Sequence, residues 1–136
     1  MQRSGRRGKH IDMNRVLDAS ALLAFLHKEP GAEFVELERS VISAVNWSEV
    51  LYKCLSWGVD IQGLREDLEA LGLSIEPFTL QDAELAAGLW PQTRSLGLSL
   101  GDRACLALGL RLGLPVITAD RSWKNLRLDI EVRVIR

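Results

Sequence analysis

With 136 residues, the chain is long enough for one domain with a layered core and too short for two. Hydrophobic residues make up 47% of it, in runs well short of the roughly 20 apolar residues of a membrane-spanning helix, so a soluble protein is expected. A net charge of −1 and a pI near 6.1 exclude a protein that holds nucleic acid by bulk electrostatics, so any phosphate contact must be local.

The charge is uneven: Arg3, Arg6, Arg7 and Lys9 against Asp12 put residues 1–12 at +3 and leave the remainder at −4. This basic, Gly/Ser-containing stretch has no apolar run of signal-peptide length. It reads as a disordered extension ahead of one folded domain, residues 13–136, opening at Met13; an RNA-contacting arm is the alternative.

Residues 14–18 predict a brief first strand, apolar on both faces and ending on Asp18. Ser20 is placed to cap a helix over 21–28, which Glu29, Pro30 and Gly31 stop. A second helix over 32–39 would present Phe34, Val35 and Leu37 to the core. The β-branched run 41–45 predicts strand two. It feeds a helix over 46–57 with a buried stripe of Trp47, Val50, Leu51, Cys54 and Leu55, and with Glu49 off that stripe. After Gly58, Leu64, Leu68 and Leu71 space an amphipathic helix over 61–71, and 73–78 reads as strand three. Thr79 and Asp82 have the pattern of a capping box. The helix behind them, through Leu85, Ala86 and Leu89, should kink or end at Pro91.

The stretch from Ser99 to Trp123 organises the rest. Gly101 and Asp102 open an apolar-periodic helix (Ala104, Cys105, Leu108, Leu112) that Gly113 and Pro115 close. Residues 114–119 then read as a buried strand, 121–126 as a loop or one helical turn, and 131–135 as a last strand at the sheet edge. The alternation of strands and helices predicts an α/β fold, a three-layer α/β/α sandwich with a mostly parallel, roughly five-stranded sheet.

In such a sheet with right-handed crossovers, every strand-to-helix junction lies on one side. A helix of about 11 residues runs roughly 16 Å one way, and the strand after it returns a similar distance. Asp120 therefore comes back to the level of Asp102, where Asp18 and Glu49 also arrive. Singly, each acid has an ordinary role: Asp18 and Asp102 as caps, Asp120 as a turn residue, Glu49 on a solvated face with Asn46 and Lys53. Together, four acids at one edge call for a cation. Oxygen-only ligands suit Mg²⁺ or Mn²⁺ rather than zinc. Such an ion can orient a phosphate and activate water for in-line attack, with a neighbouring carboxylate taking the proton. Hydrolysis of a phosphodiester is the expected chemistry.

Cys54 and Cys105 lie on apolar helical faces without CxxC or Cys/His spacing, so buried reduced thiols in a cytoplasmic protein are expected rather than a disulfide or zinc site. Arg103, Arg121 and Lys124 are candidates for RNA phosphate contacts, with plain surface solvation as the alternative. Trp123 either stacks on a base or closes the core; Trp47 belongs to the core. His10 and His27 match no ligand or triad spacing. No P-loop, GxGxxG or serine-nucleophile motif is present.

Four segments carry a family resemblance: LDASALLAFL with Asp18, SAVNWSEVL with Glu49, LSLGDRACLALGLRLGLPVITADRSW with Asp102 and Asp120, and the short closing strand. Over nearly everything after Met13 the chain resembles the PIN-domain ribonucleases, and closely the VapC toxins of bacterial type II toxin–antitoxin pairs. The resemblance implies metal-binding acids Asp18 and Asp102, with Glu49 and Asp120 completing the quartet and Ser20 and Thr118 supporting water or ligand orientation. It also implies Mg²⁺- or Mn²⁺-dependent RNA cleavage, dimerisation, and inhibition by a small VapB-type antitoxin encoded alongside. Residues 1–12 depart from the pattern, which begins just before strand one. The rival readings are a non-catalytic PIN-like RNA- or protein-binding module and a receiver-like phosphoacceptor domain. Against the latter, strand one ends in a lone Asp18, and Thr118-Ala119-Asp120 stands where a lysine would follow the late strand.

Overall fold

The computed structural model describes residues 13–136; the expected extension, 1–12, lies outside the described residues. Five strands form one sheet: β1 (Arg15–Leu17), β2 (Ser40–Ser43), β3 (Leu73–Glu76), β4 (Val116–Thr118) and β5 (Val132–Val134). Their order is β3-β2-β1-β4-β5 and every pairing is parallel. The helices are α1 (Ala19–His27), α2 (Ala44–Ser56), α3 (Leu64–Ala70), α4 (Leu80–Gly88), α5 (Trp90–Thr93) and α6 (Leu100–Leu112). No described helix is long and apolar enough to cross a membrane.

Side chains alternate across a strand, and here that alternation builds two cores. Val16, Val41 and Val116 face one way and pack with Cys105, Leu106 and Leu108 of α6 and with Trp123. Leu17, Ile42 and Ile117 face the other way and pack with Leu22 and Leu23 of α1 and Trp47, Val50 and Cys54 of α2. The α/β/α sandwich follows. The chain leaves β1 toward β2 and β3, then returns past β1 to lay down β4 and β5 on its other side. Direction therefore reverses between β1 and β4. Open α/β sheets bind ligands outside the carboxyl ends of strands at such a reversal.

Helix α6 is tied along its length to α4, antiparallel. Near its end, Arg111 grips the buried carboxylate of Asp82 with Nε at 2.5 Å and a second nitrogen at 3.2 Å. Near its start, Arg103 donates to the carbonyl of Ala86 at 3.0 Å. Asp82 also closes the expected capping box with Thr79.

Several local expectations are corrected. The helix over 32–39 is a single 3₁₀ turn, Ala32–Phe34, entered through a left-handed Gly31 (φ 94°). Val35 then turns extended, so Val35 and Leu37 are buried while Glu36 and Glu38 are exposed, the two-residue period of an extended segment. Phe34, expected in the core, is exposed. Strand two stops at Ser43 rather than Val45 because the Ser43 hydroxyl accepts from Val45 N–H and caps α2. On α2, Leu55 is exposed and leaves the predicted stripe. The helix over 61–71 shortens to Leu64–Ala70 behind a left-handed Gly63, leaving Leu71 exposed. The residue capping α1 is Asp18, not Ser20. Trp123 is buried in the α6-side core and does not present a stacking face.

Candidate metal centre

Asp18 follows the last residue of β1 in extended conformation, and its N–H continues the ladder to the carbonyl of Ile117. Its side chain therefore falls on the Val16 face, toward α6. One carboxylate oxygen accepts from Ala21 N–H at 2.8 Å, capping α1. The hydroxyl of Ser20 reaches both oxygens, at 2.8 and 2.9 Å, and that of Thr118 reaches the second at 2.5 Å. Each hydroxyl in turn accepts a backbone N–H just past β4: Ala119 to Ser20 at 2.9 Å and Asp120 to Thr118 at 3.0 Å. Those contacts occupy hydroxyl lone pairs and leave the single proton of each to point at Asp18.

Three donors favour an ionised Asp18, yet burial outweighs them, with a smaller push from the charge of Asp102. The carboxyl is raised from its usual 3.8 to about 6.

Asp102 is the third residue of α6 and part of a capping box: it accepts from Ser99 N–H at 2.9 Å, and the Ser99 hydroxyl accepts from Asp102 N–H at 3.1 Å. Glu49, two turns into α2, accepts from the buried amide of Asn46 at 2.8 Å; the same amide donates to the carbonyl of Gly101 at 2.9 Å. Glu49 thereby rests against the opening turn of α6. A Cβ on Gly101 would lie 2.5 Å from Glu49 Oε1 and 2.9 Å from Oε2. Asp18, Asp102 and Glu49 all act on one fully buried group, the Cys105 thiol, which burial first and these three charges next push well up. Cys54 is pushed up by burial alone, and both cysteines are free.

Asp120 stands apart from that trio. Its backbone N–H joins the Thr118 network, but its exposed carboxylate turns to Ser122, accepting from N–H at 2.9 Å and from the hydroxyl at 2.8 Å. Sequence reasoning placed Asn46 on a solvated face. It is in fact 1% exposed and bridges α2 to α6. The available signal was Gly101, a helix-disfavouring residue with no turn to make.

Residues 15–128 match the PIN domain family. The chain belongs to that family.

No curated protein matches the chain by sequence. Solved structures share the fold. A toxin–antitoxin complex from Klebsiella pneumoniae matches at 21% identity and TM-score 0.66, over 82% of this chain and 92% of that one. VapBC2 from Rickettsia felis, bound to a DNA fragment from its promoter, matches at 14% and 0.68, over 91% and 100%. VapBC-1 from nontypeable Haemophilus influenzae matches at 17% and 0.66, over 90% and 98%.

The donor set of this PIN domain fits a hard divalent cation. Every candidate ligand is a carboxylate oxygen, and none of Asp18, Glu49, Asp102 or Asp120 is ion-paired with a described residue. Among the described residues no three His, Cys, Asp or Glu side chains are already gathered at ligating distance. Asn46 Oδ1 adds a buried acceptor without a hydrogen-bond partner. Of the basic residues, Arg103 donates from one terminal nitrogen to the Ala86 carbonyl while its Nε is buried without a partner, Arg121 donates to the Arg136 carbonyl at 3.1 Å, and Lys124 is exposed.

Thr118 tests the hydroxyl network of this PIN domain. Thr118→Val keeps the shape but removes one donor to Asp18 and orphans the N–H of Asp120. Unfolding in urea should show a loss of roughly 1–3 kcal/mol; an unchanged midpoint would mean that the network does not bear on Asp18.

Proposed function

We propose that this PIN domain is a metal-dependent endoribonuclease, the toxin of a toxin–antitoxin pair, hydrolysing RNA phosphodiester bonds with Mg²⁺ or Mn²⁺. The observation that carries the reading is Asp18: a buried carboxylate, without an ion-pair partner among the described residues, held at the sheet's reversal point within reach of the charge of Asp102. Likeness in fold to solved toxin–antitoxin complexes supports the toxin assignment and a VapB-type antitoxin as partner; a homodimer is the assembled state that the family resemblance implies. The two free, buried thiols suit a cytoplasmic setting.

Asp18 and Asp102 would hold the cation, with Glu49 and Asp120 completing its surroundings. When bound, a divalent cation supplies Lewis-acid stabilisation of charge on the phosphate and a more acidic attacking water. Ser20 and Thr118 fix the Asp18 carboxylate by donating to it from the carboxyl ends of two neighbouring parallel strands. Glu49 or Asp120 receives the proton of the attacking water, a general-base role open to a carboxylate near the phosphate.

Incubation of the protein with RNA and Mn²⁺, with and without chelator, tests this. Cleavage that chelator abolishes supports the nuclease; RNA binding without cleavage would favour a non-catalytic PIN-like module. A second measurement reads the metal directly. A ligand that binds only the folded state at 100 times its Kd stabilises by about 2.7 kcal/mol, so saturating Mg²⁺ or Mn²⁺ should raise the melting temperature by several degrees. Asp102→Asn should blunt the rise. A wild-type melting curve indifferent to millimolar metal would sink the shared site.

A further inference from the structure

We propose that Asn46 is a positioning residue: through its amide it sets the Glu49 carboxylate against the bare backbone of Gly101, so that Glu49 faces the cation. This rests on the metal-dependent reading above.

Asn46 lies in the first turn of α2 and is 1% exposed. Its NH₂ group carries two protons, and both are committed, one to Glu49 Oε1 and one to the Gly101 carbonyl. Both partners are acceptors, so the amide cannot be turned over without setting oxygen against oxygen. The other end of the amide is left unsatisfied, since Oδ1 is buried with no hydrogen-bond partner. An orphaned buried oxygen destabilises a fold, and a hydrophobic residue of similar size would avoid it. What Asn46 supplies and a hydrophobic residue cannot is a grip on Glu49.

Glu49 needs that grip. Left alone on a half-buried helix face, a glutamate keeps its rotamer freedom, and the charges of Asp18 and Asp102 drive it outward. The amide holds one oxygen, while Gly101 supplies the room, since a Cβ there would sit 2.8 Å from Glu49 Cδ. Two sequence-distant helices, α2 and α6, thus meet on one carboxylate.

The test uses the full chain as wild type, Asn46→Ala, Glu49→Ala and the double variant. Mn²⁺ affinity is measured by calorimetry, RNA cleavage across a Mn²⁺ titration, and folding by melting temperature. Loss of an outer partner of a metal-site ligand costs roughly 10- to 100-fold in metal affinity or activity. Asn46→Ala should therefore weaken Mn²⁺ binding by that factor, with cleavage recovering at high Mn²⁺. Adding Asn46→Ala to Glu49→Ala should change Mn²⁺ affinity no further, because Glu49→Ala has already removed the carboxylate that the amide holds. Should Asn46→Ala fail to fold, Asn46→Ser, whose single proton serves one acceptor at a time, replaces it with an intermediate loss expected. Equal weakening in both backgrounds, or unchanged affinity in an active wild-type background, overturns the inference alone. A wild type that neither binds Mn²⁺ nor cleaves RNA overturns the functional reading and this inference with it.

Discussion

Asp18→Asn is expected to abolish RNA cleavage and, in metal-free buffer at pH 7, to make the protein more stable. The two effects have one origin. Burial holds the Asp18 carboxyl at about 6 in the folded state against 3.8 for the free group. Below about pH 4 the group is neutral whether the chain is folded or not, and its titration contributes nothing to the pH dependence. Between those two values the folded state binds more protons than the unfolded state, so stability falls as pH rises. Above about pH 6 the full penalty is present; roughly two pKa units correspond to about 3 kcal/mol. Asparagine keeps the cap to Ala21 N–H and never ionises. The difference in unfolding free energy between variant and wild type should therefore be smallest near pH 4, grow through pH 6 and level off, approaching that figure less the cost of altered hydroxyl contacts. Because the cation binds the ionised form, millimolar Mn²⁺ should narrow or reverse the ranking at pH 7. Cleavage should drop by more than the roughly 100-fold that an outer partner's loss entails. A difference that is flat with pH would remove the physical basis of the site; retained cleavage would move the chemistry elsewhere.

The parts of the fold that can be read in the sequence are those whose local pattern and tertiary role agree. Val16-Leu17, Val41-Ile42 and Val116-Ile117 are buried on both sides because each strand sits inside the sheet between two helical layers, and their unbroken apolarity says so. The capping box at Thr79 and Asp82 is legible for the same reason: its partners are three residues apart. Residues 32–39 show the opposite case. Burial of Val35 and Leu37 suits a helix as well as an extended segment, and the turn at Arg39, a non-glycine residue at φ 65°, leaves no compositional mark. In the candidate site, Asp18 and Asp102 are visible as acids at element ends, where the sheet's geometry places them. Asn46 is not. Three residues before a glutamate on a helix, an asparagine reads as a solvated neighbour, and only the approach of Gly101 from 55 residues away buries it. For Asp120 the chain order brings the backbone to the expected edge, but the pull of Ser122 decides where its carboxylate turns.

Gly101→Ala should separate stability from function. Gly101 is helical, without the positive φ that would demand glycine, and alanine is favoured over glycine inside a helix by about 1 kcal/mol. Backbone preference alone therefore argues for a more stable variant. The nearest obstacle is the Glu49 carboxylate, 2.5 to 2.9 Å from the new methyl. The obstacle is the far end of a flexible side chain, which can swing outward at small cost once its bond to Asn46 breaks. These opposing effects should nearly cancel, leaving the unfolding free energy within about 1 kcal/mol of wild type. The site has no such compensation. With Glu49 displaced, Mn²⁺ affinity and RNA cleavage should fall roughly 10- to 100-fold, while Asp18, held by its own three donors, keeps its pH signature. Calorimetry with Mn²⁺ alongside urea unfolding distinguishes the outcomes. A large loss of stability would show that α2 and α6 cannot yield and that the glycine serves packing; unchanged metal affinity would show that the displaced carboxylate is not part of the centre. A stable variant that has lost its metal would show that this glycine is kept for the carboxylate it makes room for, since its backbone does not have the positive φ that would require one.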